Sequence, residues 1–388
     1  MRSNEEILNE IHTIKNHSPN TIRRYKHAVQ KYCRLNDMTL DQLIHEAEQE
    51  EDMGVKWKHS KLKRRLITFR QYLVENFAKN TINSNFVPIK VIYQYYEIDI
   101  RKLPKIPNTS FQIQAPISYK DLPDKEIIRA AVDIASPLMK AIILFISSSG
   151  TARAETLSLT LSDYMNSTSE YHNTKDITQM IDTLNQMKDV VPTFTIKRKK
   201  TNKYYTTFCS PESVAAINHY LLSRSDPLSL ESKLFKISET QFIKNFEKIN
   251  DELGLGKVGF FNKFRSHMLR KYHATTLYND GLALDKVNDL QGKTKNRTDS
   301  VYFMTNPEDL KHDYVEHLNS LSIGKEVEKV TIKSKEFKEL EIKNIELENE
   351  NKNLKSEVSS ISQRQDNLEK IVLENIDERR LSKLNKIL

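Results

Sequence analysis

The sequence predicts a mainly α-helical protein with one small β-hairpin, arranged as an N-terminal helical bundle, a central α+β domain and a C-terminal coiled coil. Three observations predict this fold class. Only 8 of the 388 residues are glycine, which leaves few positions for tight turns between strands. Apolar residues recur at three- and four-residue spacing over much of the chain, as amphipathic helices require. In residues 325–388, leucine and isoleucine repeat every seven residues without a break.

The composition favours some kinds of binding partner and structural site and excludes others. The formal net charge is +8, which favours a polyanion such as nucleic acid, although charge alone does not decide this. Cys33 and Cys209 are the only cysteines, so a disulfide framework and a cysteine-rich zinc site are excluded. The first residues lack the apolar core of a signal peptide, and the longest apolar run, around residues 138–146, is too short to span a bilayer. We therefore expect a cytoplasmic, nucleoid-associated protein without a membrane partner.

Residues 1–103 predict a small helical bundle with a basic face. Ser18 caps a first helix, and a second and a third helical stretch cover residues 61–76 and 87–96. The apolar face of the first helix consists of Ile22, Tyr25, Val29 and Tyr32. The candidate DNA contacts on the first two helices are Arg23, Arg24, Lys26, Lys63, Arg64 and Arg65. The alternative is a bundle whose basic face is merely solvated.

Proline-rich residues 104–120 read as an extended linker, and residues 121–322 predict a second, mostly helical domain. Within it, residues 191–209 place β-branched and aromatic residues on both sides of a basic turn, which predicts a hairpin. The turn is Lys199–Lys203.

The heptad repeat in residues 325–388 predicts a coiled coil. Its first set of core positions is Leu340, Leu347, Leu354, Ile361 and Leu368. The companion set is Phe337, Asn344, Asn351, Val358 and Gln365. Asparagine at core positions lowers stability but fixes the register and favours a low-order oligomer. We expect self-association through this segment; the alternative is a single solvated helix.

Six polar residues of the second domain stand in an informative order. In chain order they are Arg153, Lys200, His267, Arg270, Lys293 and Tyr302. His267 and Arg270 share a helical face, because they lie one turn apart. Each residue alone is a weak signal, and the order and spacing carry the case.

This order resembles that of the λ-integrase-like tyrosine recombinases, which include phage and mobile-element integrases and Xer-type resolvases. The resemblance covers residues 120–320. The segment S-G-x-x-R-x-E-x-L around Arg153 is similar to the first arginine box of the family, and H-M-L-R-K-Y-H-A-T from His267 is the best local match. Two positions depart from the family pattern. The family arginine aligns with Ala152, one residue before Arg153, and Lys293 occupies the place of a histidine or tryptophan.

The resemblance implies that residues 121–322 are the catalytic domain and residues 1–103 the core-binding domain. Tyr302 would attack the scissile phosphorus and form a 3′-phosphotyrosyl link, so the reaction needs no metal and no cofactor. Arg153 and Arg270 would grip the non-bridging oxygens, because two guanidiniums offer paired donors to the charge that gathers there. Tyr314, twelve residues after Tyr302, is the alternative tyrosine.

The remaining groups would position the phosphate or move protons. His267 would hydrogen-bond the phosphate or act in acid–base transfer. Lys200 is the candidate acid for the 5′-oxygen, with Lys199 and Lys203 as competitors that also suit DNA contacts. Lys293 can donate to a phosphate oxygen. Glu155 would orient Arg153 or His267 without touching the substrate.

The function that follows is site-specific recombination by a mobile-element integrase, through a Holliday junction and a homotetramer on double-stranded attachment sites. A type IB topoisomerase-like enzyme is one alternative, since it shares the tyrosyl intermediate. A non-catalytic DNA-binding protein that dimerises through its coiled coil is the other.

Overall fold

The computed structural model describes residues 2–105, 117–293, 306–324 and 335–384. The chain divides into two compact units, Met1–Pro116 and Ile117–Leu388. Within these residues the secondary structure is mainly α-helical, as the sequence predicts, and it includes two small two-stranded sheets where the sequence predicts a single hairpin.

The N-terminal unit is a bundle of five helices. They are α1 (Asn4–Ile14), α2 (Pro19–Asn36), α3 (Leu40–Asp52), α4 (Lys61–Asn76) and α5 (Lys79–Tyr95). Hydroxyl side chains cap the first four of these helices, because each accepts a hydrogen bond from an otherwise unpaired backbone N–H of the first turn. The three predicted helical stretches are confirmed, whereas α1 and α3 are additional to them.

Aromatic side chains fill the core of this bundle. Tyr32 of α2 and Tyr93 of α5 are fully buried, and their hydroxyls share a hydrogen bond of 3.1 Å. Phe69 of α4 packs edge-on against the Tyr32 ring. The pair satisfies two hydroxyls that burial would otherwise leave unpaired. Burial raises the pKa of both tyrosines, so neither ionises near neutral pH.

The second unit begins with a one-turn 3₁₀ helix, Tyr119–Asp121. Its first helices are α6 (Lys125–Ile134), α7 (Pro137–Ser149), α8 (Arg153–Thr156), α9 (Leu161–Ser167) and α10 (Ile177–Gln186). The predicted hairpin follows as β1 (Thr193–Arg198) and β2 (Lys203–Phe208). After it come α11 (Pro211–Leu222), α12 (Glu239–Glu252), β3 (Lys257–Val258), β4 (Phe261–Asn262), α13 (Ser266–Asn279) and α14 (Leu284–Leu290). The last elements are α15 (Pro307–Glu316), α16 (Leu318–Leu321) and α17 (Lys335–Leu384).

Helix α7 is the centre of the second unit. Its sequence is apolar on every side from Ala141 to Ile146, and a helix of this kind is stable only when other elements surround it. Helices α6, α11 and α13 pack against it. Gly150 ends the helix in the left-handed conformation, with φ +65°. Because it has no side chain, the buried His273 ring of α13 lies directly against its backbone.

The hairpin alternates in burial along β1, as a strand with one covered face should. Phe194 and Ile196 are buried, whereas Thr195 and Lys197 face solvent. Arg198 continues the inward series and is partly buried. On β2, Tyr205 is paired with Ile196 and therefore also lies on the inner face.

Helix α17 carries two apolar faces. Ile342 and Ile345 are buried, and the helix packs on α10 there. The described leucines, valine and isoleucine of the heptad repeat are all exposed: Leu340, Leu347, Leu354, Val358, Ile361 and Leu368. The repeat therefore points away from the second unit of its own chain.

No helix within the described ranges is both long and apolar enough to cross a bilayer.

Replacing Gly150 by alanine should destabilise the second unit by about 2–5 kcal/mol. The residue has a left-handed φ, and the new Cβ would stand 2.4 Å from Nδ1 of His273. Gly254→Ala is the matched control, because Gly254 has φ +61° but nothing within 4 Å of a Cβ. It should cost about 1 kcal/mol. Urea denaturation of both variants measures the difference, and equal losses would contradict the packing argument.

Candidate active site

Arg270 is the buried centre of the site. It lies in the first turns of α13, and only 9% of the residue is exposed. Its Nη1 donates to the carbonyl oxygen of Gly150 at the end of α7. Its Nη2 donates to the carbonyl oxygen of Gln291 at the end of α14, over 2.7 Å. Helix ends leave carbonyls unpaired, and one planar guanidinium here satisfies two of them.

Glu155 of α8 supplies the carboxylate of the site and is 4% exposed. Tyr205 donates its hydroxyl to Oε2 of Glu155 over 2.9 Å. The backbone N–H of Ala152 donates to the same oxygen over 3.0 Å. Arg270 Nη1 lies 3.9 Å from Oε2, and Arg198 Nε lies 4.0 Å from Oε1. The carboxylate therefore stands between two guanidiniums.

Arg198 reaches the same place from the hairpin. Its Nη1 donates to the carbonyl oxygen of Gly292 and lies 3.5 Å from that of Gln291. Its side chain is 19% exposed. Burial lowers the pKa of Arg270, and the positive charge of Arg198 acts in the same direction. Arg270 remains a cation at neutral pH because the ordinary pKa of a guanidinium is so high.

Lys293 and His267 lie at the edge of this cluster. Desolvation lowers the pKa of the Lys293 ammonium, and the charges of Arg270 and Arg198 lower it further. Desolvation also lowers the pKa of His267, with contributions from Lys271, Arg265 and Arg270. At neutral pH the His267 imidazole is therefore mainly neutral and can accept or donate a hydrogen bond.

Arg153 lies apart from the cluster in the structure. Its side chain is 42% exposed, and its Nη2 lies 2.7 Å from Oε1 of Glu239 on α12. Glu155, two residues later on the same short helix, instead faces Arg270 and Tyr205. Each residue turns a helix by about 100°, so two residues separate the directions of the two side chains by about 200°. Glu155 thus contacts neither Arg153 nor His267 in the interactions of the described residues, and the clamp role of Arg153 stays a prediction.

The hairpin turn and the two candidate tyrosines complete the predicted set. Lys199, Lys200 and Lys203 are exposed at the tip of the hairpin. Tyr302 lies outside the described residues. Tyr314 of α15 is fully buried, and its hydroxyl donates to the carbonyl oxygen of Ser148 over 2.9 Å. Burial raises the pKa of Tyr314 far above its ordinary value, which makes it unfit as a nucleophile.

The predicted DNA contacts of the N-terminal unit fall into two groups. Arg23, Arg24 and Arg64 are exposed, and Lys63 is partly exposed. Lys26 lies 3.1 Å from Glu5. Arg65 is held within its own unit, because it pairs with both oxygens of Glu46 at 2.6 and 3.1 Å and donates to Asn36. The exposed group can reach a phosphate backbone without breaking an internal pair.

Sequence reasoning missed Arg198, Tyr205, Gln291 and His273. The strand alternation of Phe194 and Ile196, continued by one step, indicates that Arg198 faces inward. Gln291 holds Arg270 from both sides, since its carbonyl accepts from the guanidinium and its amide donates to the Arg270 carbonyl. Over the part of the chain that the structure covers, no three His, Cys, Asp or Glu side chains gather as a metal site.

The site as a whole can hold an anion. Arg198 and Arg270 supply two positive charges within 4.0 Å of the single carboxylate of Glu155, and Lys293 adds a third that is near enough to both arginines for their charges to lower its pKa. A partly buried excess of positive charge is costly unless an anion joins it. A phosphate group would offer that charge together with several acceptor oxygens.

Residues 125–309 of the chain match the phage integrase family. This segment belongs to that family of tyrosine recombinases. It contains all six of the residues that the sequence order singles out, including the His267–Arg270 pair. No curated protein matches the chain significantly.

Several solved structures resemble the chain at low identity. The XerH site-specific recombinase bound to its difH substrate, a pre-cleavage complex, is 18% identical, covers 75% of this chain and 78% of that chain, and gives a TM-score of 0.44. The Tn1549 transposon integrase in complex with circular intermediate DNA is 11% identical, with coverages of 74% and 97% and a TM-score of 0.42. A lambda integrase dimer bound to a COC′ core site is 11% identical, with coverages of 79% and 99% and a TM-score of 0.39.

His273 should make the protein less stable in mild acid. The residue is fully buried, and burial lowers its pKa to about 3, with Arg270 and Lys293 adding to the effect. Below about pH 6.5, His273 binds a proton in the unfolded chain but stays neutral in the folded chain. The free energy of unfolding therefore falls as the pH falls. Between pH 6.5 and 5 the free energy of unfolding should drop by about 1.5 kcal/mol more in the wild type than in His273→Asn. Exposed His219, changed to Asn, is the control and should leave the slope unaltered; a loss of slope there instead would contradict the assignment.

Proposed function

We propose that the protein is the integrase of a mobile element, a site-specific recombinase that cuts and rejoins double-stranded DNA through Tyr302. The observation that carries this proposal is the pair of guanidiniums at Glu155, Arg198 from the hairpin and Arg270 from α13, which are both held by backbone carbonyls at the end of α14. Such a cluster fits one phosphodiester group, and it lies within the segment that matches the phage integrase family. Its place of action would be the nucleoid.

Bond breaking and bond making balance without a cofactor. The Tyr302 oxygen attacks phosphorus and loses its proton, and the bond from phosphorus to the 5′-oxygen breaks. The neutral imidazole of His267 can take up a proton or hydrogen-bond the phosphate. Lys200 at the hairpin tip is the candidate that protonates the 5′-oxygen, with Lys199 and Lys203 as competitors. A free 5′-hydroxyl from a second duplex then reverses the steps, so the energy of the broken bond is kept.

Arg270 has donors to spare for the phosphate. A guanidinium carries five N–H groups, and the two carbonyl contacts of Arg270 use one on each terminal nitrogen. The remaining N–H groups can point at phosphate oxygens, whose charge grows in the transition state. The carbonyls therefore hold the donor in place before the DNA arrives, and Lys293 adds a further donor beside it.

Tyr302→Phe should abolish the covalent protein–DNA adduct while retaining DNA binding. Duplexes would first be selected for binding from a random pool and then nicked near the centre, so that the cleaved strand end diffuses away and the adduct accumulates. The adduct is measured by denaturing electrophoresis. Tyr314→Phe is the matched control and should retain the adduct, since that hydroxyl is buried on Ser148. Tight binding without any adduct from the wild type would instead support a non-catalytic DNA-binding protein.

A second copy of the chain is the proposed occupant of the exposed heptad face of α17. In a parallel pair, position g of one helix meets position e of the next heptad on its partner. Lys343 then meets Glu348, and Glu350 meets Lys355, so both contacts join opposite charges. Ile342 and Ile345 lie on the other side of the helix and remain packed on α10. Dimerisation through the heptad face would therefore leave the contact with α10 intact, and it would add to the tetramer proposed on DNA.

Charge reversal tests the parallel register. Lys343→Glu with Lys355→Glu places like charges at both contacts and should weaken self-association on the order of tenfold. Adding Glu348→Lys and Glu350→Lys to the same chain restores opposite charges and should restore the association. Sedimentation equilibrium without DNA measures the dissociation constants, with a chain that lacks residues 330–388 as the monomer reference. A fourfold variant as weak as the double variant would exclude this register.

A further inference from the structure

We infer that Arg198 of the hairpin is the second arginine that grips the scissile phosphate, beside Arg270. This assignment rests on the proposed function and names a catalytic residue that the motif order does not contain. Arg198 would neutralise charge on the phosphate, whereas Tyr302 would form the covalent bond to phosphorus. The two can therefore fail separately.

The two guanidiniums lie close enough to bind one phosphate. Nη2 of Arg270 and Nη1 of Arg198 lie 2.7 and 3.5 Å from the same oxygen, the carbonyl of Gln291. The two nitrogens can therefore be no more than 6.2 Å apart, which is the sum of those distances. Both side chains also lie within 4.0 Å of Glu155. A phosphate seated beside Glu155 can accept from both.

The positive charges near Glu155 outnumber its single negative charge once Arg198 is included, so the cluster favours a further anion. Arg270 alone would be balanced by the carboxylate. Arg198 and Lys293 add two positive charges that have no second carboxylate among the described contacts of the cluster. Arg198 is 19% exposed, so it is open enough to meet a ligand and sheltered enough that the contact is not screened by water.

The start of α8 places no cationic side chain against Glu155. There the backbone N–H of Ala152 contacts the carboxylate, while Arg153 extends to Glu239 and is 42% exposed. A guanidinium instead approaches Glu155 from the end of β1, where Arg198 Nε lies 4.0 Å from Oε1. The strand period explains its direction, since Arg198 follows Phe194 and Ile196 on the covered face.

The test compares phosphodiester DNA with DNA that carries a methylphosphonate at the scissile position. The methyl group removes the negative charge that a clamp neutralises, so the need for the clamp falls with it. The nicked duplex selected for wild-type cleavage supplies both substrates, and the rate of adduct formation is measured on each. On the phosphodiester, Arg198→Ala should slow the adduct by about 100- to 1000-fold. On the methylphosphonate the loss should shrink by at least about tenfold.

Three further variants distinguish a loss of the phosphate contact from a general loss of activity. Arg198→Lys retains one charge without the fork and should fall between wild type and Arg198→Ala; it also serves if the alanine variant unfolds. Lys197→Ala is the matched control, because Lys197 is the neighbouring cation on the solvent side of β1. Its loss should be the same on both substrates. Arg153→Ala is the competing arm.

The outcomes separate the two proposals. An active wild type, with Arg198 losses that are equal on both substrates, would overturn the assignment and leave the recombinase intact. A charge-dependent loss that appears in Arg153→Ala instead would overturn the assignment in the same way. A wild type that forms no adduct on any selected duplex would overturn the recombinase and the assignment together.

Discussion

The buried guanidinium of Arg270 is the constraint on which the rest of the site depends. It joins two helix ends by their unpaired carbonyls, those of Gly150 and Gln291, and it faces the carboxylate of Glu155. A buried cation is costly unless its donors are satisfied, so α7, α8, α13 and α14 must all be in place before the arginine can be buried. The fold and the site are in this sense the same arrangement. Gly150 completes it, because any side chain there would occupy the space of the His273 ring.

The uncompensated positive charge of this site lowers the stability of the fold but favours the binding of an anion. A single carboxylate faces more positive charge than it can offset, and a better balanced cluster would fold more firmly. Proteins accept local imbalance of this kind where binding needs it. The unoffset charge is directed inward by a strand rather than displayed on a surface, since Arg198 shares its face with Phe194 and Ile196. The positive potential is therefore concentrated beside Glu155 instead of being spread over the protein surface.

The parts of the fold that local rules decide could be predicted from the sequence. Helix α4 runs from Lys61 to Asn76 as predicted, because a serine cap and a regular apolar period fix both its start and its face. The hairpin follows from periodicity in the same way, and so does the position of His267 and Arg270 one turn apart on a single helix. Long-range geometry could not be predicted. Arg153 matches a motif by spacing, yet its direction depends on where Glu239 lies, and that residue is more than eighty positions away. The partners of Glu155 come from three separate elements, which no local pattern specifies.

The contact between the hairpin and α14 shows how one packed position can align several functional groups. Gly292 adopts φ +58°, and a Cβ there would lie 2.5 Å from the Tyr205 ring, so the hairpin rests directly on this backbone. From that contact Tyr205 reaches Glu155, and Arg198 donates to the Gly292 carbonyl. The lysines of the hairpin tip extend from the same two strands. Lys293 follows Gly292 and leads into the segment that contains Tyr302. Because short, rigid connections hold groups more accurately than long ones, the packing of the hairpin on Gly292 sets the positions of Arg198 and Tyr205 relative to Glu155, and with them the position of the proposed phosphate clamp.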